Sequence, residues 1–238
     1  MGGSESRFIL GNREAAGTVA GFLAADESHA LGSPIRLAVR DPWDRYQKIR
    51  IQQTRQGAYL RFDNHPQPGI RAMPDASLQL YNADWDGSAE WCIVVLKVRS
   101  GTGWVKPPAE LRWDADSMAS TGGLLILLYN RGQDAWLHVN PQGKIALHQI
   151  SLPVQTEALA SARLVWELQY MTRAWTAEEV ALAFTVPLAA LAPSLYPLAR
   201  QASMTPFVTS SQVIGAGSLS PTVLAQIAAV AHQIENLL

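Results

Sequence analysis

The chain is poor in the residues that most often carry chemistry. Its 238 residues hold one cysteine, Cys92, and 16% charged residues against 48% hydrophobic ones. A single thiol makes no internal disulfide. Its place in the apolar run Trp91-Cys-Ile-Val-Val-Leu96 reads as an inert buried group. No Cys pair, His-x-x-x-His or His-Glu-x-x-His occurs, which removes the common metal spacings. Gly101-Thr-Gly103 lacks the rest of either phosphate-binding glycine motif, and Gly-x-Ser-x-Gly is missing, so a nucleotide fold and a serine hydrolase both lack an anchor. The histidines, His29, His65, His138, His148 and His232, have no acid or nucleophile at a telling spacing. A net charge of −1 without a basic run argues against a nucleic-acid partner. No apolar run approaches the ~18 residues of a membrane span. Residues 1–25 also lack the basic start and apolar block of a secretion signal. The expectation is a soluble, cytoplasmic protein without a membrane partner, and non-catalytic.

What is present is period-two patterning. Ile35–Val39, Lys48–Thr54, Ala58–Phe62, Ser77–Tyr81, Glu90–Val98 and Ala162–Met171 read as strands, with further ones at Glu179–Val186 and Pro206–Val213. Gln56-Gly57 and Asp84-Trp85-Asp86-Gly87 read as hairpin turns, and Asn64–Pro74, with its prolines, as loop. Residues 12–25 are ambiguous, since Ala15, Val19, Phe22 and Leu23 fit helical spacing. Near the end, Ser220 suits an N-cap and Pro221 the first helical position. Val223, Ile227, Val230, Ile234 and Leu237 then form one apolar stripe. Such a stripe packs on its own domain or pairs with a second copy, which would make a homo-oligomer. Short strands separated by turns suggest a mainly β fold, a jelly-roll-like β-sandwich with a C-terminal amphipathic helix. The expected division is a partly helical extension over 1–34, the sandwich over 35–213 and the helix over 214–238.

The best local reading is at 123–150. Gly123-Leu-Leu-Ile-Leu-Leu-Tyr-Asn130 is an apolar strand, and Ala135–Val139 and Lys144–Ile150 form a hairpin around Asn140-Pro-Gln-Gly143. Asn140 and Pro141 suit the first two positions of a type I turn, and Gly143 its fourth. One face of the middle strand carries Trp136, His138 and Asn140. A ring beside polar groups suits sugar binding, and it equally suits a face covered by the chain's own ends.

Eight tryptophans are the unusual feature. Trp91 and Trp166 lie in apolar strand patterns and read as core, whereas Trp85, Trp104 and Trp175 lie in or beside loops. The acidic pair Asp114 and Asp116 is a calcium candidate, although turn chemistry accounts for Asp-x-Asp as well.

The stretch from Asp116 through Ala135-Trp-Leu-His-Val-Asn-Pro-Gln-Gly143 resembles the family 9 carbohydrate-binding module and its DOMON-like relatives. Ala174-Trp-Thr-Ala-Glu178 and Val186-Pro-Leu-Ala-Ala-Leu191 resemble that family's late strand. The likeness covers roughly Ser77 to Leu191. It departs where several residues separate the last two motifs, and where plain Leu-Leu-Ile-Leu-Leu128 replaces an acidic-aromatic strand. The resemblance implies a sandwich that binds a carbohydrate or other small ligand, through Trp85, Trp113, Trp136 and Trp175 with His138 and Asn140 beside them. Some relatives bind b-type haem, which would place Met118 or Met171 opposite His138 or His148. A self-assembling coat- or scaffold-like protein is the alternative reading, favoured by the low charge and the terminal stripe.

Overall fold

The fold is known from a computed structural model, which describes residues 7–13, 19–26, 30–41, 44–53, 57–62, 69–81, 87–107, 123–149, 163–171, 213–214, 219–235 and 238. The strands are β1 (Arg7–Arg13), β2 (Val19–Ala24), β3 (Arg36–Ala38), β4 (Ile49–Gln53), β5 (Ala58–Phe62), β6 (Gly69–Ala72), β7 (Leu78–Tyr81), β8 (Glu90–Ser100), β9 (Gly103–Val105), β10 (Leu124–Asn130), β11 (Ala135–Val139), β12 (Ile145–His148), β13 (Trp166–Met171) and β14 (Val213–Ile214). Among the described residues one helix, α1 (Pro221–Glu235), follows.

All pairings are antiparallel, and they close on themselves. β1 pairs with β4 and β13, β13 with β10, β10 with β8, β8 with β5, and β5 with β4. The remaining strands form the hairpins β2–β3, β6–β7 and β11–β12, each joined to the strand before it. The chain is therefore three successive four-strand units, β1–β4, β5–β8 and β10–β13, arranged as a β-trefoil. β9 and β14 are additions to β8. The mainly β class and the terminal helix agree with the sequence. The two-layer jelly roll is replaced by a closed barrel, which leaves its six strands with no open edge.

Three local expectations change. The described parts of 12–25 are extended: β1 and β2 pair with Gly11 opposite Phe22, and Phe22 and Leu23 are buried. The stretch 64–74 is not all loop: β6 lies between its prolines and pairs with β7. Among the described residues β7 pairs with β6 and not with β8, and Asp84-Trp85-Asp86 of the expected turn lie outside the described residues. The strands expected at 179–186 and over most of 206–213 lie outside the described residues.

Alternation explains which side chains fill the barrel. Phe8, Leu10, Leu60, Phe62, Trp91, Ile93, Ile126, Leu128, Trp166 and Leu168 belong to one core. The intervening residues of β8 and β10, Cys92, Val94, Leu96, Leu125, Leu127 and Tyr129, belong to a second core outside the barrel, beneath Ile227, Val230 and Ile234 of α1. A strand buried on both faces reads as a continuous apolar run, and β10 is buried at all of its 7 positions.

The three units repeat a buried lock. At the β8–β10 seam Trp91 pairs with Asn130, and at the β13–β1 seam Trp166 pairs with Asn12. Trp91 Nε1 donates to Ile70 O and Trp166 Nε1 to Leu137 O, both at 3.0 Å, so each indole holds the hairpin of its own unit. Asn130 Nδ2 donates to Ser88 O at 2.8 Å and Asn12 Nδ2 to Arg163 O at 2.8 Å, so each amide holds the approach to the neighbouring strand. At the third seam, β4–β5, Ile49 and Phe62 stand in the equivalent places. A large residue has moved across the seam, and the polar lock has become an apolar one.

This exchange predicts coupling. Trp91→Ile should cost about 2–4 kcal/mol, through lost volume. Asn130→Phe should cost about 1–3 kcal/mol, through overpacking and unpaired carbonyls. The double variant, which copies the Ile49–Phe62 seam, should recover at least about 1 kcal/mol of the sum in urea unfolding. Strict additivity would contradict the equivalence.

Candidate functional site

Among the described residues, two surfaces bring aromatic and polar side chains together. On β11, Leu137 and Val139 point into the barrel core, which leaves Trp136 and His138 on the other face. Trp136 is 4% exposed and meets Tyr129 edge-on, with ring centres 5.3 Å apart. The Tyr129 hydroxyl donates to Asp134. Both rings lie in the core beneath α1. That helix forms as its sequence dictates: Ser220 Oγ accepts from Val223 N at 3.3 Å, Pro221 opens the first turn, and the stripe Ile227, Val230 and Ile234 is buried. This packing bears on two expectations. Trp136 is a buried ring and not an exposed binding one, and Ile227, Val230 and Ile234 of the stripe take the first of its two expected places, on the chain's own barrel.

Asn140 is a turn residue. Its carbonyl accepts from Gly143 N at 2.9 Å, and its Oδ1 accepts from Gln142 N at 3.1 Å and Lys144 N at 2.9 Å. Gly143 takes φ +75°, the left-handed conformation that glycine tolerates. His138 is 8% exposed, and its ring centre lies 5.2 Å from that of His148. Met171 packs with Ile9 and Phe22 in a separate cluster, so the structure does not bring it to either histidine. Trp85, Trp113, Trp175, Asp114, Asp116 and Met118 lie outside the described residues. Among the described residues no group of three or more His, Cys, Asp or Glu side chains is placed to hold a metal ion.

The second surface is centred on Trp104. Gly101 (φ +59°) turns β8 back as β9, and this register places Trp104 directly opposite Arg99. The guanidinium carbons of Arg13 and Arg99 lie 5.3 and 5.5 Å from the Trp104 ring centre, within cation–π range. Both arginines also face Glu167, whose carboxylate is almost fully buried: Arg13 Nη1 is 3.2 Å from Oε2 and Arg99 Nη1 is 3.9 Å from Oε1. Gln169 Nε2 donates to Glu167 Oε1 at 2.9 Å, and Arg40 Nε donates to Gln169 Oε1 at 3.3 Å. Partial burial pulls the Arg40 guanidinium below its usual pKa, and Glu167 partly offsets that pull. Arginine keeps its charge at neutral pH, so three guanidiniums surround one carboxylate beside a half-buried indole.

Among the described residues this surface brings together an indole, guanidiniums, a carboxylate and a carboxamide, groups suited to holding a polar ligand. Sequence periodicity places Glu167 and Gln169 on the polar face of their strand. The hairpin register across Gly101-Thr102 would have paired Arg99 with Trp104. Arg13 and Arg40 arrive by pairings that no local pattern announces.

No family model matches the chain, so the resemblance to family 9 carbohydrate-binding modules rests on the short motifs alone. No curated protein matches it in sequence. Among solved structures it is similar to the designed three-fold symmetric protein ThreeFoil, at 12% identity and a TM-score of 0.43, over 68% of this chain and 97% of that one. It is also similar to a salivary protein from Culex quiquefasciatus of the Cysteine and Tryptophan-Rich family, at 13% identity and a TM-score of 0.42, over 71% of this chain and 95% of that one. A third is the GlcNAcα1-4Gal-releasing endo-β-galactosidase of Clostridium perfringens, at 12% identity and a TM-score of 0.44, over 70% of this chain and 32% of that one. The β-trefoil assignment rests on this chain's own strand pairing.

Burial and pairing set two expected behaviours. Arg13, 15% exposed and 3.2 Å from Glu167, should cost about 3 kcal/mol when replaced by alanine. Arg99, 44% exposed and 3.9 Å away, should cost only about 1 kcal/mol, as urea unfolding would show. Burial pushes the Cys92 thiol from 9.0 up to about 12 and raises Tyr129, whose hydroxyl also donates to Asp134. The unfolded thiol ionises first, so this part of the stability is complete below pH 9 and lost as pH rises to about 12. Cys92→Ala should flatten that alkaline slope in unfolding curves taken across the range.

Proposed function

We propose that the protein is a non-catalytic β module that binds a carbohydrate or a similar small ligand at the Trp104 surface. The observation that carries this reading is the half-buried indole of Trp104 within cation–π range of Arg13 and Arg99, the two arginines that also face the buried Glu167. A sugar site needs apolar ring surface for C–H groups and fixed planar polar groups for hydroxyls. Here the arginines, Glu167 and Gln169 supply donors and acceptors already oriented by one another. The excess of guanidinium over carboxylate favours a ligand with an acidic group, such as a uronate or a sulfated sugar, which arginine grips with two parallel hydrogen bonds. Trp85, Trp113 and Trp175 remain proposed contributors to the same binding function.

No described helix is long and apolar enough to cross a membrane. The assembling coat-like reading keeps the low charge in its favour, while Ile227, Val230 and Ile234 of the α1 stripe are buried against the chain's own barrel.

The test is a glycan array of neutral and acidic sugars, followed by fluorescence titration. An acidic glycan should shift tryptophan emission, and Trp104→Ala should weaken binding tenfold or more, on the order of 1.4 kcal/mol. Arg99→Ala should reduce the preference for acidic over neutral sugars while leaving the circular dichroism spectrum unchanged. An array without any response removes the carbohydrate reading.

A further inference from the structure

We infer that His138 and His148 form a two-histidine site for a divalent transition-metal ion of the zinc, nickel and copper group. The site is separate from the Trp104 surface and does not depend on it. His138 lies opposite Ala146 and His148 opposite Trp136, so the two histidines are diagonal neighbours on one face of the β11–β12 hairpin. Diagonal residues on a sheet start roughly 7–8 Å apart, yet these ring centres stand 5.2 Å apart, tilted by 45°. The rings lean toward each other, and the short Ala146 side chain leaves them room.

That separation is the one a chelate requires. Zinc–nitrogen bonds are about 2.0–2.1 Å, so a tetrahedral ion holding one nitrogen from each ring sets the ring centres on the order of 5 Å apart. Imidazole is a natural ligand for this group of metals. His138 is 8% exposed, whereas His148 is partly open to solvent, so water or a group from a second molecule can complete the coordination.

The frame is also rigid. The hairpin pairs at four successive positions, from Trp136 with His148 to Val139 with Ile145. Its far end is closed by the Asn140 turn, Trp166 Nε1 holds Leu137 O at 3.0 Å, and Leu147 N donates to Ala76 O at 3.2 Å. Little ordering is then left for the metal to impose, and preorganisation strengthens binding. The sequence conceals this site because His138 and His148 are ten positions apart and meet only through the strand register.

Titration calorimetry of the full chain with zinc chloride tests the site. At about pH 7.5 one equivalent should bind with a roughly micromolar Kd, and His138→Gln and His148→Gln should each weaken it by at least tenfold. Lowering the pH to about 5.5 should abolish binding to the wild-type chain, because protons compete for the imidazoles. Copper chloride should quench tryptophan emission, and Trp136→Phe should remove a distinct share of that quenching. These two readouts need no histidine variant to fold. The inference is overturned if the wild-type chain shows no saturable zinc binding, or if both glutamine variants fold and bind zinc as tightly as it does.

Discussion

The pairing of β8 with both β5 and β10 is the constraint on which the rest of the molecule depends. Without it the six barrel strands would form an open sheet with two unpaired edges. With it, the inner faces of all three units converge on one core, and Trp91 can reach the β6 hairpin while Asn130 reaches the approach to β8. The same closure gives β8 and β10 a second apolar face, because their alternate residues point outward at the end of the ring. Cys92, Val94, Leu96, Leu125 and Leu127 would be exposed there, so a cover is required. α1 is that cover.

This view explains why some of the fold is legible in the sequence. The strands with clear period-two patterns, β4, β5, β7 and β13, have one face toward the core and one toward solvent or polar partners. The Asn140–Gly143 turn depends only on local chemistry, and α1 carries its cap, its proline and its stripe within 15 residues. The closure is long-range and leaves no periodic mark, so a run such as Leu124–Leu128 fits a sandwich core as well as a barrel strand covered by a helix. The N-terminal segment misleads for a related reason, since Phe22 and Leu23 are adjacent yet both buried, on opposite faces of β2.

The internal repeat is too faint to be read from the sequence without the strand pairing. Leu10-Gly-Asn-Arg13 and Leu128-Tyr-Asn-Arg131 match at three of four positions and occupy equivalent places at the ends of β1 and β10. Leu60-Arg-Phe62 is the third copy, with phenylalanine where the others have asparagine. That substitution hides the repeat, because a polar lock and an apolar lock share no chemistry that a sequence comparison would score. They do share volume: Trp with Asn and Ile with Phe each place one large and one smaller residue across the seam. A packed interior constrains the total more tightly than its division between partners.

The filled barrel also decides where function can sit. Trp91, Trp166, Phe8 and Phe62 are completely enclosed, and a six-stranded ring packed with such side chains leaves no interior for a ligand. Among the described residues the outer faces and the hairpins are what a ligand could reach. On the outer face, α1 covers the side formed by β8, β10 and β11, which removes Trp136 from contact with solvent. Polar side chains remain on the side formed by β1, β13 and the β8–β9 hairpin, where Glu167 is buried and therefore needs cations around it. Arg13 and Arg99 supply them, with Trp104 in cation–π range of both. Unlike the apolar cover of α1, this arrangement keeps hydrogen-bonding groups and one guanidinium, that of Arg99, directed toward water. A surface that shields a charge with charged and aromatic groups remains a surface that a polar ligand can use.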